Sequence, residues 1–136
     1  MKNKPPEILI VDDDPIILQL HKLIVQKVVE DEDLLFQFED GKQTLDFIQA
    51  NDSTEKNYLI LLDINMPVMN GWQLLDQLKE IPYHSTIRVA MVTSSIDYRD
   101  KMKANEYDQV FDYIEKPLKV DIFKRLLEHE TILRNR

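Results

Sequence analysis

Leu59-Ile60-Leu61-Leu62-Asp63-Ile64-Asn65-Met66-Pro67-Val68-Met69-Asn70-Gly71 decides the fold of this chain, because four consecutive aliphatic residues break off at an acid. A short apolar run bounded by turn formers reads as a strand buried on both faces, as in the middle of a parallel sheet. Asp63 then stands where the strand leaves the core, and Pro67 and Gly71 turn the chain just beyond it. In open α/β sheets ligands bind outside the carboxyl ends of the strands, so chemistry is expected at this acid. A second reading stays open at this point. Asp is a common helix cap, and Asp63 could do no more than start the next helix.

Upstream, Ile8-Leu9-Ile10-Val11 is another continuous aliphatic run, ended by Asp12-Asp13-Asp14-Pro15. Asp14 and Pro15 suit the cap and first position of a helix. Ile16, Ile17, Leu20, Leu23, Ile24 and Val28 recur at helical spacing up to about Val29. A solvated acidic turn that caps this helix explains Asp14 but leaves Asp12 and Asp13 unexplained. Crowded like charges raise one another's pKa and are tolerated best when a cation or a lysine lies against them. Glu30 to Asp33 reads as a solvated acidic connector, Leu34 to Phe38 as a strand, and Asp40-Gly41 as a turn into a short helix ending near Ala50. The polar stretch Asn51 to Asn57 is a loop feeding the Asp63 strand.

Downstream, Trp72 to Leu78 continues as a helix that stops before Pro82, and Trp72 is expected to pack in or beside the core. Arg88-Val89-Ala90-Met91-Val92 is a buried strand ending at Thr93, with Ser95 expected to cap the next helix and Thr93 left for another role. That helix, Ile96 to about Glu106, is strongly charged with few apolar anchors, so it is expected to be weakly held. Val110 to Ile114 is the last strand, followed by Glu115-Lys116-Pro117, a helix from about Val120 to Leu127, and a polar stretch from Glu128. Five alternations of strand and helix imply βαβ units, a parallel sheet and helices on both faces. The expected class is α/β, a flavodoxin-like doubly wound five-stranded sheet in the order 2-1-3-4-5. Residues 7–130 form its single domain, between tails at 1–6 and 131–136.

Composition narrows the function. The 136 residues are 43% hydrophobic and 31% charged, as in a soluble globular domain. A net charge of -8 without any basic run argues against a DNA- or RNA-binding surface. The chain has no cysteine, which excludes disulfides, thiolate metal sites and cysteine nucleophiles. No apolar stretch approaches the roughly 20 residues that span a bilayer, and Met1 to Pro6 contains no signal-peptide core. A cytoplasmic location without membrane attachment is the default expectation.

Four strand ends thus bring Asp12-Asp13, Asp63, Thr93 and Lys116 to one edge of one sheet. Three carboxylates around a point favour a hard divalent cation, and Mg²⁺ takes few carboxylates while keeping water or phosphate oxygens in its shell. Opposite it, an ammonium and a hydroxyl would hold the remaining oxygens of a phosphoryl group. A carboxylate so placed can act as a nucleophile and form an aspartyl phosphate.

On these residues the chain resembles the receiver domains of two-component response regulators, from Glu7 to about His129. The matching pieces are Ile8 to Pro15, Leu61 to Pro67 with Asn70-Gly71, Met91 to Ser94, and Tyr113 to Pro117. The resemblance implies that Asp63 accepts a phosphoryl group from a phosphohistidine of a histidine kinase or histidine phosphotransfer protein. It makes Asp13 a direct Mg²⁺ ligand, Asp12 a ligand through water, and Asn65 a ligand through its backbone carbonyl. Thr93 and Lys116 would contact the phosphoryl oxygens, Tyr113 would be the switch aromatic, and the bond before Pro117 would be cis. Phosphorylation from a phosphodonor with Mg²⁺ and slow hydrolysis of the aspartyl phosphate are expected, with a change on the face of the fourth helix, last strand and last helix that a downstream protein reads.

The chain also departs from the family. A glycine usual between the fourth helix and fifth strand is absent near Gln109, and Asn105 or Asp108 is expected to supply the left-handed residue instead. Tyr58 replaces an acid common at the start of the third strand. His21, His84 and His129 are expected to be surface residues. Two alternatives are a receiver that binds protein without phosphate, and a receiver cut from a longer regulator. A phosphatase with an aspartate nucleophile would need an acid where Asn65 stands, and a flavin carrier would need a hydroxyl- and glycine-rich loop where the chain has Asp12-Asp13.

Overall fold

The uninterrupted apolar runs take the middle of a five-stranded parallel sheet in the order 2-1-3-4-5, as expected. In the computed structural model, which describes residues 5–135, the strands are β1 (Glu7–Val11), β2 (Leu35–Phe38), β3 (Asn57–Leu62), β4 (Thr86–Thr93) and β5 (Val110–Glu115). The helices are α1 (Pro15–Gln26), α2 (Gly41–Ala50), α3 (Gly71–Glu80), α4 (Tyr98–Ala104) and α5 (Val120–Arg134). Of the expected tails, residues 1–4 and 136 lie outside the described residues. Among the described residues no helix is long and apolar enough to cross a membrane.

Successive strand residues point to opposite faces, so one run of aliphatics feeds two cores. Leu9, Val11, Ile60, Leu62, Val89 and Met91 pack with α2 and α3 residues such as Ile48, Leu74 and Leu75. Ile8, Ile10, Leu59, Leu61, Ala90 and Val92 pack with Leu18 and Val25 of α1 and Phe123 and Leu126 of α5. Leu59 to Leu62 are at most 2% exposed. Burial of each such side chain contributes about 1.5–3 kcal/mol, so β3 fastens both cores at once and its end at Asp63 is held firmly.

Helix starts follow local chemistry. The Asp14 carboxylate accepts the Ile16 N–H at 2.9 Å with Pro15 at the first position, and Asn70 and Gln73 form a reciprocal capping box at α3. α4 departs from expectation: Asp97, not Ser95, caps it, accepting the Arg99 N–H at 2.9 Å. The Ser95 hydroxyl is occupied nearby, accepting the Asp97 N–H at 3.3 Å and donating to Asp100 at 2.6 Å. The helix therefore begins at Tyr98 rather than at Ile96. The acidic connector carries a one-turn 3-10 helix, Glu32–Leu34, capped by Asp31.

Two further expectations are corrected. Asn105 is right-handed at φ -67°, and among the described residues the one non-glycine with positive φ is Val68, so neither Asn105 nor Asp108 is left-handed. The register between β4 and β5 shifts at Val89/Ala90 instead. α5 also continues well past Leu127, because Glu130 turns inward with no exposed surface, beside Arg134 at 3.6 Å and close to Asn57 and Arg88. Trp72 packs into the core as expected and stacks on Tyr107 with ring centroids 5.7 Å apart. The Lys103 ammonium stands 4.9 Å from the Trp72 ring and that of Lys79 4.3 Å from the Tyr107 ring, which ties α3 to the far end of α4.

Candidate functional site

The carboxyl ends of β1, β3, β4 and β5 deliver the four expected groups together. Asp12 follows β1, and its N–H donates to the Phe38 carbonyl at 3.0 Å. Asp63 follows β3, and its N–H donates to the Val11 carbonyl at 3.0 Å. Both carboxylates are buried, at 2% and 4% exposure. The Lys116 ammonium bridges them, 2.6 Å from Asp12 Oδ2 and 3.3 Å from Asp63 Oδ2. Their other oxygens accept backbone donors, Asp12 Oδ1 from Asp14 N–H at 3.0 Å and Asp63 Oδ1 from Ile64 N–H at 2.9 Å.

Backbone close approach holds the loop after Asp63. The Gly71 N–H donates to the Ile64 carbonyl, and a Cβ at Gly71 would stand 2.4 Å from the Asp63 carbonyl oxygen, so no larger residue fits there. Between them the Met69 N–H closes a three-residue turn onto the Pro67 carbonyl at 2.7 Å, which places exposed Val68 at φ 66°. Such a turn is strained for a β-branched residue. The Met69 carbonyl accepts the Gly41 N–H at the start of α2.

On the other side, the Lys116 N–H donates to the Thr93 carbonyl at 2.9 Å, and the Lys116-Pro117 bond is cis, as expected. Thr93 is fully buried and its hydroxyl accepts the Ser95 N–H at 3.3 Å. The Tyr113 hydroxyl donates to the Ser95 carbonyl at 3.3 Å from a half-buried position. Asp13 and Asn65 are exposed at the mouth of the site.

Burial raises the Asp63 pKa, and neighbouring Asp12 adds to the rise against the opposing pull of Lys116 and the Ile64 N–H. Burial also disfavours the Lys116 ammonium, yet hydrogen bonding and charge from Asp12 and Asp63 outweigh it and raise the Lys116 pKa. Asp12, Asp13 and Asp63 each offer a carboxylate oxygen within 4.8 Å of the others. An oxygen-only donor set with more acid than one lysine neutralises fits a hard divalent cation such as Mg²⁺.

One residue beside the site was not foreseen. His21 of α1 is 2% exposed, not a surface residue, and its Nε2 accepts the Leu118 N–H at 3.3 Å. The spacing of Leu18, His21 and Val25 carries the signal, since it sets the histidine on the buried stripe of the helix. His84 and His129 are exposed, as expected.

Residues 8–128 match the family described as the response regulator receiver domain. The chain is 31% identical over 137 residues to the two-component response regulator ARR22 of Arabidopsis thaliana, covering 95% of this chain and 86% of that protein. It is 29% identical over 126 residues to the response regulator Rcp1 of Synechocystis, covering 90% and 84%. The crystal structure of a two-component response regulator from Cytophaga hutchinsonii superposes with a TM-score of 0.76 at 27% identity, covering 96% of this chain and 99% of that one. Other relatives are longer, and this chain spans only 53%, 20% and 15% of three of them. With the strand order, the four strand-end groups and the family match in agreement, the chain belongs to the receiver domains of two-component response regulators.

Proposed function

We propose that this receiver is a phosphoryl-accepting switch of a two-component or phosphorelay system, in which Asp63 takes a phosphoryl group from a phosphohistidine of a histidine kinase or histidine phosphotransfer protein. The observation that carries this reading is the Lys116 ammonium held across Asp12 and Asp63, with Thr93 on the same sheet edge. An Asp63 carboxylate oxygen bonds to phosphorus as the phosphorus–nitrogen bond to imidazole breaks, and the imidazole keeps the electron pair. Asp13, Asp63, the backbone carbonyl of Asn65, and Asp12 through water are the residues that would hold Mg²⁺. Bound there, Mg²⁺ supplies positive charge against the incoming phosphoryl oxygens. Lys116 neutralises one oxygen, and the Thr93 hydroxyl turns from the Ser95 N–H to donate to another.

The aspartyl phosphate adds roughly -1.5 to -2 charge. Movement of Thr93 releases Ser95, whose carbonyl is also the partner of Tyr113 and whose hydroxyl bonds Asp97 and Asp100 at the start of α4. The short α4 buries only Ala104, so its position is readily biased. Exposed Ile96, Tyr98 and Met102 give the face of α4, β5 and α5 an apolar surface for a downstream protein. The net charge of -8 supports a protein partner rather than DNA, in the cytoplasm. Hydrolysis of the aspartyl phosphate is slow in this reading, with Asn65 where a phosphatase needs an acid.

The test is incubation with acetyl phosphate and Mg²⁺, read by intact mass, beside Asp63→Asn. A Mg²⁺-dependent phosphoryl adduct in the wild type alone is expected. No adduct favours a receiver that binds protein without phosphate, and an adduct that persists in Asp63→Asn overturns the acceptor assignment.

A further inference from the structure

We propose that His21 is a positioning residue for Lys116: its buried imidazole, by accepting the Leu118 N–H, sets where the Lys116 ammonium stands over Asp12 and Asp63. This rests on the acceptor role proposed for Asp63. Two backbone bonds bracket Lys116. Its own N–H is fixed to the Thr93 carbonyl of β4 at 2.9 Å. Pro117 has no N–H to give, so the next donor along the chain is Leu118, and that donor is fixed to His21 of α1 at 3.3 Å. Leu118 and His21 are each 2% exposed, so water does not replace the bond. A buried N–H that lost its acceptor would be relieved only by a shift of this segment, which carries Lys116 with it.

The imidazole is suited to the task because it is neutral. Nε2 accepts a hydrogen bond only when unprotonated, which puts the ring proton on Nδ1. Burial lowers the His21 pKa and outweighs the opposing pull of Asp12, while Lys116 lowers it further. An aliphatic residue would fill the stripe between Leu18 and Val25 equally well, but it would offer no acceptor.

The experiment compares the 136-residue chain as wild type, His21→Leu and His21→Gln, the last because its amide oxygen reaches about as far as Nε2. Should His21→Leu fail to fold, His21→Asn takes its place, with an acceptor that stops short of Leu118. The first readout is the rate of phosphoryl labelling from acetyl phosphate at fixed Mg²⁺. His21→Leu is expected to be about threefold to tenfold slower, and His21→Gln to return to within about twofold of wild type. The second readout needs no phosphorylation: the nitrogen resonance of the Lys116 ammonium, by NMR without metal, shifts in His21→Leu and returns in His21→Gln. Folded His21→Leu with wild-type labelling, or equal slowing in Leu and Gln variants, overturns the proposal. If even the wild type is not labelled, the acceptor role fails, and the Lys116 resonance alone decides, with no shift in His21→Leu refuting the positioning.

Discussion

At the carboxyl end of the sheet Asp12, Asp13 and Asp63 face the single ammonium of Lys116, whereas at the amino end one carboxylate, Glu130, lies beside Arg88 and Arg134. Burial raises the carboxyl pKa at both ends, in Asp63 and in Glu130. The balance of charge and the access to solvent differ. Glu130 has no exposed surface and its cations come from the same packed wall, so the amino end is sealed and serves to fasten the last turns of α5 to β4. The carboxyl end keeps an excess of acid and opens at exposed Asp13. Buried charge is therefore a clamp where acid and cation enclose one another, and a receptor where acid is left over beside an opening.

Removal of the enclosed acid should have the largest effect on stability. Glu130→Ala is expected to lower unfolding free energy by about 3 kcal/mol, measured in urea, because Arg88 and Arg134 keep their burial without the carboxylate. Labelling of Asp63 in the folded fraction should stay within about twofold of wild type. A labelling rate that falls with stability would mean that the two ends are coupled.

Metal is expected to act at the other end alone. Mg²⁺ at a hundred times its dissociation constant should stabilise the wild type by about 2.7 kcal/mol, while Asp13→Asn weakens that binding at least about tenfold and leaves metal-free stability nearly unchanged. Equal stabilisation of both proteins would move the cation away from the three acids.

A smaller gain is expected from Asp63→Asn without metal, about 1–2 kcal/mol by thermal or urea unfolding, as the unmatched acid is removed. Its sign follows from linkage. The folded chain holds the Asp63 proton more tightly than the unfolded chain does, so Asp63 favours folding below its ordinary value of 3.8 and loses that contribution as pH rises through the raised folded value. The advantage of Asp63→Asn should therefore open as pH climbs from about 4 towards neutrality, and Mg²⁺ should close it. An advantage that grows towards acid would contradict the raised pKa.

The smallest effect is expected of Tyr113→Phe, which removes only the 3.3 Å bond to the Ser95 carbonyl. A loss of at most about 1 kcal/mol and unchanged labelling would place Tyr113 downstream of the chemistry. Slower labelling would put it inside the site.

The carboxyl end was legible in the sequence because β1, β3 and β4 are apolar runs that stop at Asp12, Asp63 and Thr93, and Lys116 follows the end of β5 directly. Asp12, Asp63, Thr93 and Lys116 were located from that pattern alone. The amino end was not legible, because Glu130 and Arg134 lie in a polar stretch whose charges look solvated until α5 is seen to lie on Arg88. His21 was missed for a different reason: the apolar spacing read for α1 ran through Ile16, Leu20 and Leu23, which are exposed, whereas the helix buries Leu18, His21 and Val25. The cap of α4 lies two residues beyond the expected Ser95, because the Asp97 carboxylate accepts the helix N–H while the Ser95 hydroxyl is already engaged. Val68 could not be foreseen as left-handed, since the turn at Pro67 imposes on it a conformation that its own side chain disfavours.

The stack of Trp72 on Tyr107 has an optical consequence. Trp72 is the only tryptophan in the chain, and it follows Gly71, whose backbone touches that of Asp63. Its indole face also meets the Lys103 ammonium of α4. Withdrawal of that cation, or sliding of Tyr107 off the ring, changes the field that the indole senses and hence its emission. The unlabelled protein thus carries a fluorescent gauge of the separation between α3 and α4, which can be followed in real time as ligands are added.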